Sequence, residues 1–261
     1  MKNLKEKIKN KEKTIGTLLN MSDVSVSKIA GLAGYDFIWI DMEHSYISYE
    51  TLLSHIIAFE ATDTSVIVRV PQNDLTATKK IIDMGPDGII FPNVKSAREI
   101  NEVLGYSLYP PYGTRGFGPM NAIDYGYKSA DIYTKTNHDT MCRFIQIEHK
   151  NAVAELETIV KNEFIDGYIF GPNDLSGSID ELLDVFNNNT QALINQAIQI
   201  LKKHNKYIGL ATGDTSDKTI QKWMSLGIDM LANGSDYCFL LDAFCDNRKK
   251  LSLLCKGISE E

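Results

Sequence analysis

The chain has 261 residues, of which 43% are hydrophobic and 23% charged, ordinary values for a globular protein that can bury a substantial core. Its net charge of −7 argues against a nucleic-acid partner, because phosphates would be repelled. No apolar run approaches the roughly 20 residues that cross a bilayer, and the lysine-rich start lacks the apolar stretch of a signal peptide. The sequence therefore predicts a cytoplasmic protein with no membrane partner.

The cysteines predict neither a zinc site nor a disulfide framework. Cys142, Cys238, Cys245 and Cys255 share no CxxC spacing and have no histidine companion. Reduced thiols are the expected state in a cytosolic chain.

The chain opens with a lysine-rich segment, residues 2–13, that is typical of a solvated lead-in helix or a charged surface turn. Short apolar or β-branched runs then alternate with longer segments of helical period. Several of the helical segments end in glycine, at Gly34, Gly85 and Gly227. Glycine is common just after the last turn of a helix, so these positions predict helix C-caps. The eight strand-like runs cover residues 14–20, 36–41, 65–70, 87–92, 142–148, 166–172, 206–212 and 228–234.

Eight strands separated by helices predict a parallel sheet closed into a (β/α)8 TIM barrel. An open doubly wound sheet would favour a glycine-rich phosphate loop after an early strand, and neither GxGxxG nor GxxxxGK occurs. The one irregular stretch, residues 106–137, carries YPPYGTRGFGP and predicts a long functional or interface loop. With no linker composition, we expect residues 1–261 to form a single barrel domain with a short N-terminal lead-in helix and a C-terminal helical segment.

Polar side chains follow four of the predicted strands at the end where the active sites of parallel barrels lie. The strands themselves are apolar, so polar side chains gathered at one end of them predict a functional site there. They are Asp41, Glu43, His44, Arg69, Gln146, Glu148 and Asp174.

The carboxylates of Glu148 and Asp174 come from neighbouring strands, and two close carboxylates repel unless a cation or proton lies between them. Mg²⁺ and Mn²⁺ favour such oxygen ligands, and the open positions could hold a 2-oxo acid. The alternative is a pair of surface carboxylates or a helix N-cap at Asp174.

His44 lies beside two acids that could orient its imidazole and raise its basicity. A buried Arg69 needs an anionic partner, which is either Asp41 or Glu43, or a developing oxyanion. The turn that starts at Gly171 would direct backbone N–H groups at an anion. Together these groups indicate enolate chemistry, and no serine or cysteine nucleophile or rim lysine competes with them.

Six motifs resemble the HpcH/HpaI aldolase family in order and spacing, from about residue 14 to 236. They are GYDFIWIDMEHSYIS, VIVRVPQND, IIDMGPDGIIFPNVKSA, YPPYGTRGFG, QIEHKNAV and DGYIFGPNDLS.

The resemblance implies a barrel that forms homo-oligomers, as a hexamer or another multiple of a dimer or trimer, with sites built partly at subunit interfaces. It implies His44 as the acid/base and Arg69 as the group that steadies transition-state charge. Glu148 and Asp174 would hold a divalent metal, Mg²⁺, Mn²⁺ or Co²⁺.

The family pattern also assigns substrate contacts to Gln146 and Asn173, and to Asp174 beside the metal. It assigns Asp83, in IIDMG, to tuning the histidine. Because Asp83 falls near the end of a predicted barrel helix, we expect it to reach His44 of a neighbouring subunit.

The chain departs from the family pattern at several positions. Asn173 stands where alanine is usual, His149 where a small residue is usual, and Asn93 where methionine is usual. The glycine-rich stretch after GPxDLS is replaced by GSIDELLDVFNNN, which puts the aldehyde preference and the reaction direction in doubt. His149 points away from Glu148 in strand period, so we expect it to pack rather than bind a ligand.

The expected function is class II aldolase chemistry, the cleavage of a 4-hydroxy-2-oxo acid to pyruvate or a related 2-oxo acid and an aldehyde. One alternative is a lyase or ligase that uses a phosphoenolpyruvate- or acyl-CoA-derived enolate, for which Arg115 is the candidate phosphate ligand. The other is a non-catalytic binding subunit with the same fold.

Overall fold

The computed structural model describes residues 4–257 and forms a closed barrel of eight parallel strands in sequential order. This confirms the predicted (β/α)8 architecture, and each strand lies within two residues of its predicted run. The strands are β1 (Thr14–Leu19), β2 (Phe37–Asp41), β3 (Ser65–Arg69), β4 (Gly88–Phe91), β5 (Cys142–Ile147), β6 (Gly167–Phe170), β7 (Ile208–Thr212) and β8 (Met230–Ser235).

Helices alternate with the strands, and most begin with a side chain that caps the first turn, such as Ser48, Asp74 and Ser96. Gly34, Gly85 and Gly227 follow helix ends with positive φ, as predicted. The helices are α1 (Leu4–Lys9), α2 (Val24–Leu32), α3 (Tyr49–Phe59), α4 (Leu75–Asp83), α5 (Ala97–Ser107), α6 (Ala130–Thr140), α7 (Lys150–Ala154), α8 (Leu156–Ile159), α9 (Pro172–Gly177), α10 (Asn188–Lys203), α11 (Asp217–Ser225) and α12 (Asp236–Gly257).

The strands supply two separate cores because their side chains alternate between faces. Residues such as Ile38 and Val68 belong to the large cluster under the helices. Phe37, Trp39 and Ile67 belong to a second cluster, which occupies the inside of the barrel. Asp41 and Arg69 are the last residues of β2 and β3, and both follow the inward-facing positions of their strands. The parallel pairing places them side by side. Barrel closure therefore places these two polar side chains together above an apolar interior.

The N-terminal helix differs from the solvated helix that its lysines predict. Leu4 and Ile8 of α1 are only 3% and 4% exposed and pack with the inner barrel cluster. Lys5 and Lys7 form ion pairs with Asp166 and Asp36. The helix therefore contributes two apolar side chains one turn apart to the inner core, while its charged face remains outside.

The predicted irregular stretch 106–137 contains more regular structure than expected. A 3₁₀ segment spans Asn121–Gly126, and α6 begins at Ala130. The polar sequence of α6 shows no apolar helical period, which explains why the prediction missed it. Only the part before the 3₁₀ segment forms an extended loop.

The last helix, α12, leaves the end of β8 and exposes most of its length. Within the described residues, no helix combines the length and hydropathy that crossing a membrane requires.

Candidate active site

A cavity of about 950 Å³ opens at the carboxyl ends of the strands. Six of the predicted site residues line it together, although they come from four different strands and the loops that follow them. They are Asp41, His44, Arg69, Gln146, Asn173 and Asp174.

Arg69 is held by a dense set of acceptors at the floor of the cavity. Its Nε donates to Oδ1 of Asp41 at 2.9 Å and its Nη2 to Oδ2 at 2.6 Å, a bidentate pair. Its Nη1 lies 3.1 Å from Oε2 of Glu43 and 3.3 Å from Oε1 of Gln146. Both acids that the sequence offered as structural partners therefore bind the guanidinium, which also lies 5.2 Å from the ring of Trp39.

Asp41 is buried, and burial alone would raise its pKa. The hydrogen bonds and charge of Arg69 outweigh burial, so the pKa of Asp41 lies below its ordinary value. The backbone N–H groups of Glu43 and His44 also donate to its Oδ1. Asp41 therefore stays ionised and fixes both Arg69 and the turn that carries His44.

His44 lies at the rim of the cavity with 68% of its side chain exposed. Its Nε2 is 3.7 Å from Oε2 of Glu43, close enough for the carboxylate to orient the imidazole. Burial raises the pKa of Glu43, although the charge of Arg69 opposes that shift. His44 therefore presents its imidazole to the cavity beside a carboxylate.

Glu148 is 5% exposed, and its carboxylate is anchored at both oxygens. Oε1 accepts from the backbone N–H of Asn93, and Oε2 accepts from Nε2 of Gln146 at 2.9 Å. Burial, together with the smaller effect of the negative charge of Asp174, raises the pKa of Glu148 to about 7. A buried carboxylate under these two influences is stabilised by a nearby cation.

Two backbone features allow Glu148 to occupy this position. Asn93 has φ 48°, a left-handed conformation that asparagine tolerates better than most residues, and its N–H donates to the carboxylate. A Cβ added at Gly171 would lie 2.5 Å from Oε2 of Glu148. The space beside the carboxylate therefore depends on glycine at 171.

Asp174 and Asn173 lie in the first turn of α9, which follows β6. Asp174 lines the cavity and acts electrostatically on both Glu148 and Glu43. Among residues that the structure describes, no cluster of three or more His, Cys, Asp or Glu side chains is arranged to hold a metal. A pair of carboxylates with open positions still fits a hard divalent cation, because Mg²⁺ takes one or two carboxylates and keeps several waters.

Asp83 is not brought to this cavity within one chain. It ends α4, where Nη2 of the buried Arg115 donates to its Oδ1 at 2.7 Å. Arg115 also contacts Tyr133 and Asn137 and lies 4.4 Å from the ring centroid of Tyr109. Arg115 is thus committed to a buried ion pair in a separate region, which does not favour a phosphate-binding role.

His149 has a local structural role, because its Nδ1 accepts from the backbone N–H of Asn151 and caps α7. Sequence reasoning missed three polar residues that follow the first, seventh and last strands, Asn20, Asp214 and Asp236. Asn20 and Asp214 line the cavity, and Nδ2 of Asn20 donates to Asp41 at 3.3 Å. The strand-end rule that identified the other residues would have found these too, since the runs end in NMS, TGD and GSD.

Asp236 does not line the cavity but holds a loop that does. Its carboxylate accepts from the backbone N–H groups of Asn20 and Met21, at 3.1 and 2.9 Å. The β1–α2 loop is therefore held against the start of α12, and Asn20 is held beside Asp41.

Comparisons with known proteins identify the family of this chain. The model of the HpcH/HpaI aldolase/citrate lyase family matches residues 15–243. The hydroxypyruvate/pyruvate aldolase of Roseobacter denitrificans is 29% identical over 238 residues, which cover 91% of this chain and 92% of that protein. A 2-dehydro-3,6-dideoxy-6-sulfogluconate aldolase of Pseudomonas putida is 29% identical over 234 residues, covering 90% and 91%.

The fold is also shared with solved structures. A HpcH/HpaI aldolase/citrate lyase family protein of Burkholderia cenocepacia superposes with a TM-score of 0.90 at 24% identity, covering 97% of this chain and all of that one. The family match spans most of the chain, and the curated relatives are named as aldolases. This chain belongs to the HpcH/HpaI aldolase/citrate lyase family and is a carbon–carbon lyase of the aldolase type.

Proposed function

We propose that the protein is a class II aldolase that reversibly cleaves a 4-hydroxy-2-oxo acid to pyruvate, or a closely related 2-oxo acid, and an aldehyde. The single observation that carries this proposal is the buried carboxylate of Glu148, on which Asp174 acts electrostatically, beside a cavity lined by Asp174, His44 and Arg69. The relatives named as hydroxypyruvate/pyruvate aldolases support a 2-oxo acid as one substrate.

Glu148 and Asp174 would hold the divalent cation, as Mg²⁺, Mn²⁺ or Co²⁺. When bound, the cation supplies Lewis-acid stabilisation of negative charge on the oxygens of the 2-oxo acid. Gln146 and Asn173 would orient the substrate from the floor and the α9 side of the cavity. Gln146 is well placed for this role because its amide also bridges Arg69 and Glu148.

His44 would take the proton of the aldol hydroxyl during cleavage and return it during condensation. Such positioned acid–base help contributes about 10²–10⁴-fold in rate. Arg69 would stabilise the developing oxyanion, since Asp41 holds its guanidinium rigidly at the cavity floor. Asp83 would assist His44 from a neighbouring subunit.

The two alternatives from the sequence are less well supported. A phosphoenolpyruvate- or acyl-CoA-dependent enzyme needs cationic groups for phosphates, and Arg115 is paired with Asp83 outside the cavity. A non-catalytic binding subunit would have no need for the set of His44, Arg69, Glu148 and Asp174.

The test is pyruvate release from a 4-hydroxy-2-oxo acid by the wild type and by Glu148→Gln. We expect activity that requires added Mg²⁺, Mn²⁺ or Co²⁺, is abolished by EDTA and is lost in Glu148→Gln. Glu163→Gln, which makes the same change at an exposed position, is the matched control. Cleavage that continues in EDTA, or in Glu148→Gln, would contradict the metal-dependent mechanism.

A further inference from the structure

The cavity is lined by many residues besides Asp174 and the other proposed site residues. Its volume of about 950 Å³ is near the upper limit for small-molecule sites, which leaves room for more than a three-carbon 2-oxo acid. We call the far wall the part of the lining formed by the segment between α9 and α10, the loop after β7, α11 and the end of β8; it includes Phe186, Asp214, Thr219, Trp223 and Ser235. If the protein acts as the proposed aldolase, this wall is where the aldehyde partner binds.

One part of the far wall is a fixed aromatic surface. The rings of Phe186 and Trp223 lie 5.1 Å apart with an angle of 29° between their planes. Trp223 is 1% exposed, and the ammonium of Lys222 lies 3.5 Å from the ring centroid of Phe186. Phe186 is therefore held in place and offers an apolar surface to the C–H groups of a ligand.

The other part of the far wall carries a negative charge. Asp214 accepts from Oγ1 of Thr219 at 2.6 Å and from the backbone N–H of Ser216 at 2.8 Å, and these bonds lower the pKa of its carboxyl. Each carboxylate oxygen then has a free lone pair. Asp214 is exposed, so it can accept hydrogen bonds from a ligand hydroxyl.

Cations are scarce along the described lining of the cavity. Arg69 is its one lysine or arginine side chain, and Asp41, Glu43 and Gln146 already bind that guanidinium. Lys222 contacts Phe186 from outside the lining. An aldehyde with its own carboxylate, sulfonate or phosphate would meet Asp214, and the described lining of this chain offers it no lysine or arginine apart from Arg69.

We propose that this far wall selects neutral, hydroxylated aldehydes, with Asp214 accepting a hydroxyl hydrogen bond and the Phe186–Trp223 surface covering the carbon chain. Asp214 is thus a specificity-determining residue. The assignment rests on the proposed aldolase function and names the class of its second substrate.

The experiment measures kcat/KM for condensation of pyruvate with three aldehydes in the presence of Mn²⁺. Glyceraldehyde is neutral and hydroxylated, propionaldehyde lacks hydroxyl groups, and succinic semialdehyde is anionic. We expect the wild type to prefer glyceraldehyde over each of the others by about tenfold or more. In Asp214→Asn, the preference for glyceraldehyde over succinic semialdehyde should fall by about tenfold, through weaker use of the first and better use of the second.

Asp217→Asn is the matched control, because Asp217 is an exposed aspartate three residues away that does not line the cavity. It should keep the wild-type preference. A wild-type preference for succinic semialdehyde, or an unchanged preference in Asp214→Asn, would overturn the assignment. Exchange of the pyruvate C3 hydrogens in deuterium oxide needs no aldehyde and is measured separately. Its absence would count against the aldolase itself, whereas exchange with the wrong aldehyde preference would count only against the acceptor assignment.

Discussion

The position of the Glu148 carboxylate depends on the backbone of two neighbouring residues rather than on their side chains. Gly171 leaves the space that a Cβ would fill, and Asn93 turns a backbone N–H toward the carboxylate. Asp41 likewise fixes Arg69 from the adjacent strand, since their positions are in register. At the residue scale, the proposed chemistry therefore depends on backbone conformation and strand register as much as on the reactive side chains.

A second buried polar pair lies outside the proposed chemistry. His55 is fully buried in α3, and its Nδ1 lies 2.6 Å from Oγ of Ser27. Burial lowers the pKa of His55, although the charges of Asp236 and Asp23 oppose that shift. The folded protein therefore resists protonating an imidazole that the unfolded chain protonates readily near its ordinary pKa of 6.5.

We predict that His55 makes stability fall as the pH drops below about 6.5, because the unfolded chain then binds the extra proton. One such group changes the free energy of unfolding by at most about 1.4 kcal/mol per pH unit. Glu148 acts in the opposite direction, since a raised carboxyl pKa stabilises the folded state as the pH falls through 7. The comparison of wild type with His55→Gln isolates the contribution of His55.

Urea unfolding between pH 8 and pH 5 measures this difference. The stability lost by the wild type on acidification should exceed that lost by His55→Gln. Parallel pH profiles for the wild type and His55→Gln would show that burial of His55 does not contribute.

Among the described elements, α12 has the most large apolar side chains exposed to solvent. Its 22 residues include contacts with β1 and β8, and a helix of this length extends about 33 Å. A large number of exposed apolar side chains on one helix is typical of an interaction site. The large exposed apolar side chains of α12 are Tyr237, Phe239, Leu240, Leu241, Phe244, Leu251, Leu253 and Leu254.

We predict that α12 drives association of the chain. Light scattering coupled to gel filtration should give a mass of at least a dimer for the wild type and a smaller mass for the double variant Leu241→Asp, Phe244→Asp. Asn247→Asp adds charge to a polar position of the same helix and should leave the mass unchanged. A monomeric wild type at micromolar concentration would refute this role.

The elements that the sequence predicted well are those whose pattern is local. The apolar run at 65–70 and the glycine at 85 identify β3 and the end of α4 without tertiary information. The helix α6 was missed because ADIYTKTNHDT has no apolar period, and its fold depends on packing such as that of Asn137 on Arg115. The buried face of α1 was missed because two apolar residues among lysines are typical of a surface helix.

The candidate site was predictable wherever it depends on topology alone. Strand ends converge in a parallel barrel, so His44, Arg69 and Asp174 could be placed together from sequence. The pairing of Asp83 with Arg115 could not, because it joins a helix end to a loop 32 residues away with no periodic signal. The far wall at Phe186 belongs to a loop without a regular pattern and needed the folded chain.

At the scale of the whole molecule, we predict that the proposed chemistry depends on assembly, because Asp83 does not line the cavity of its own chain. Subunits that carry only His44→Ala can be mixed with subunits that carry only Asp83→Ala after dissociation and reassociation. If Asp83 serves the His44 of a neighbour, some mixed interfaces join two intact residues, and we predict partial recovery of activity. Each variant reassociated alone is the control and should stay inactive, and mixtures that stay equally inactive would contradict the shared site.

The central claim is that Glu148 and Asp174 together bind one divalent cation at the barrel mouth. The most direct measurement is a titration of metal-free protein with Mn²⁺, in which the electron paramagnetic resonance signal reports the concentration of the free ion. We predict one Mn²⁺ bound per chain in the wild type and in Glu163→Gln, and affinity weaker by about tenfold or more in Glu148→Gln and Asp174→Asn. Wild-type protein that binds no Mn²⁺, or variants that bind it as tightly as the wild type, would contradict the account.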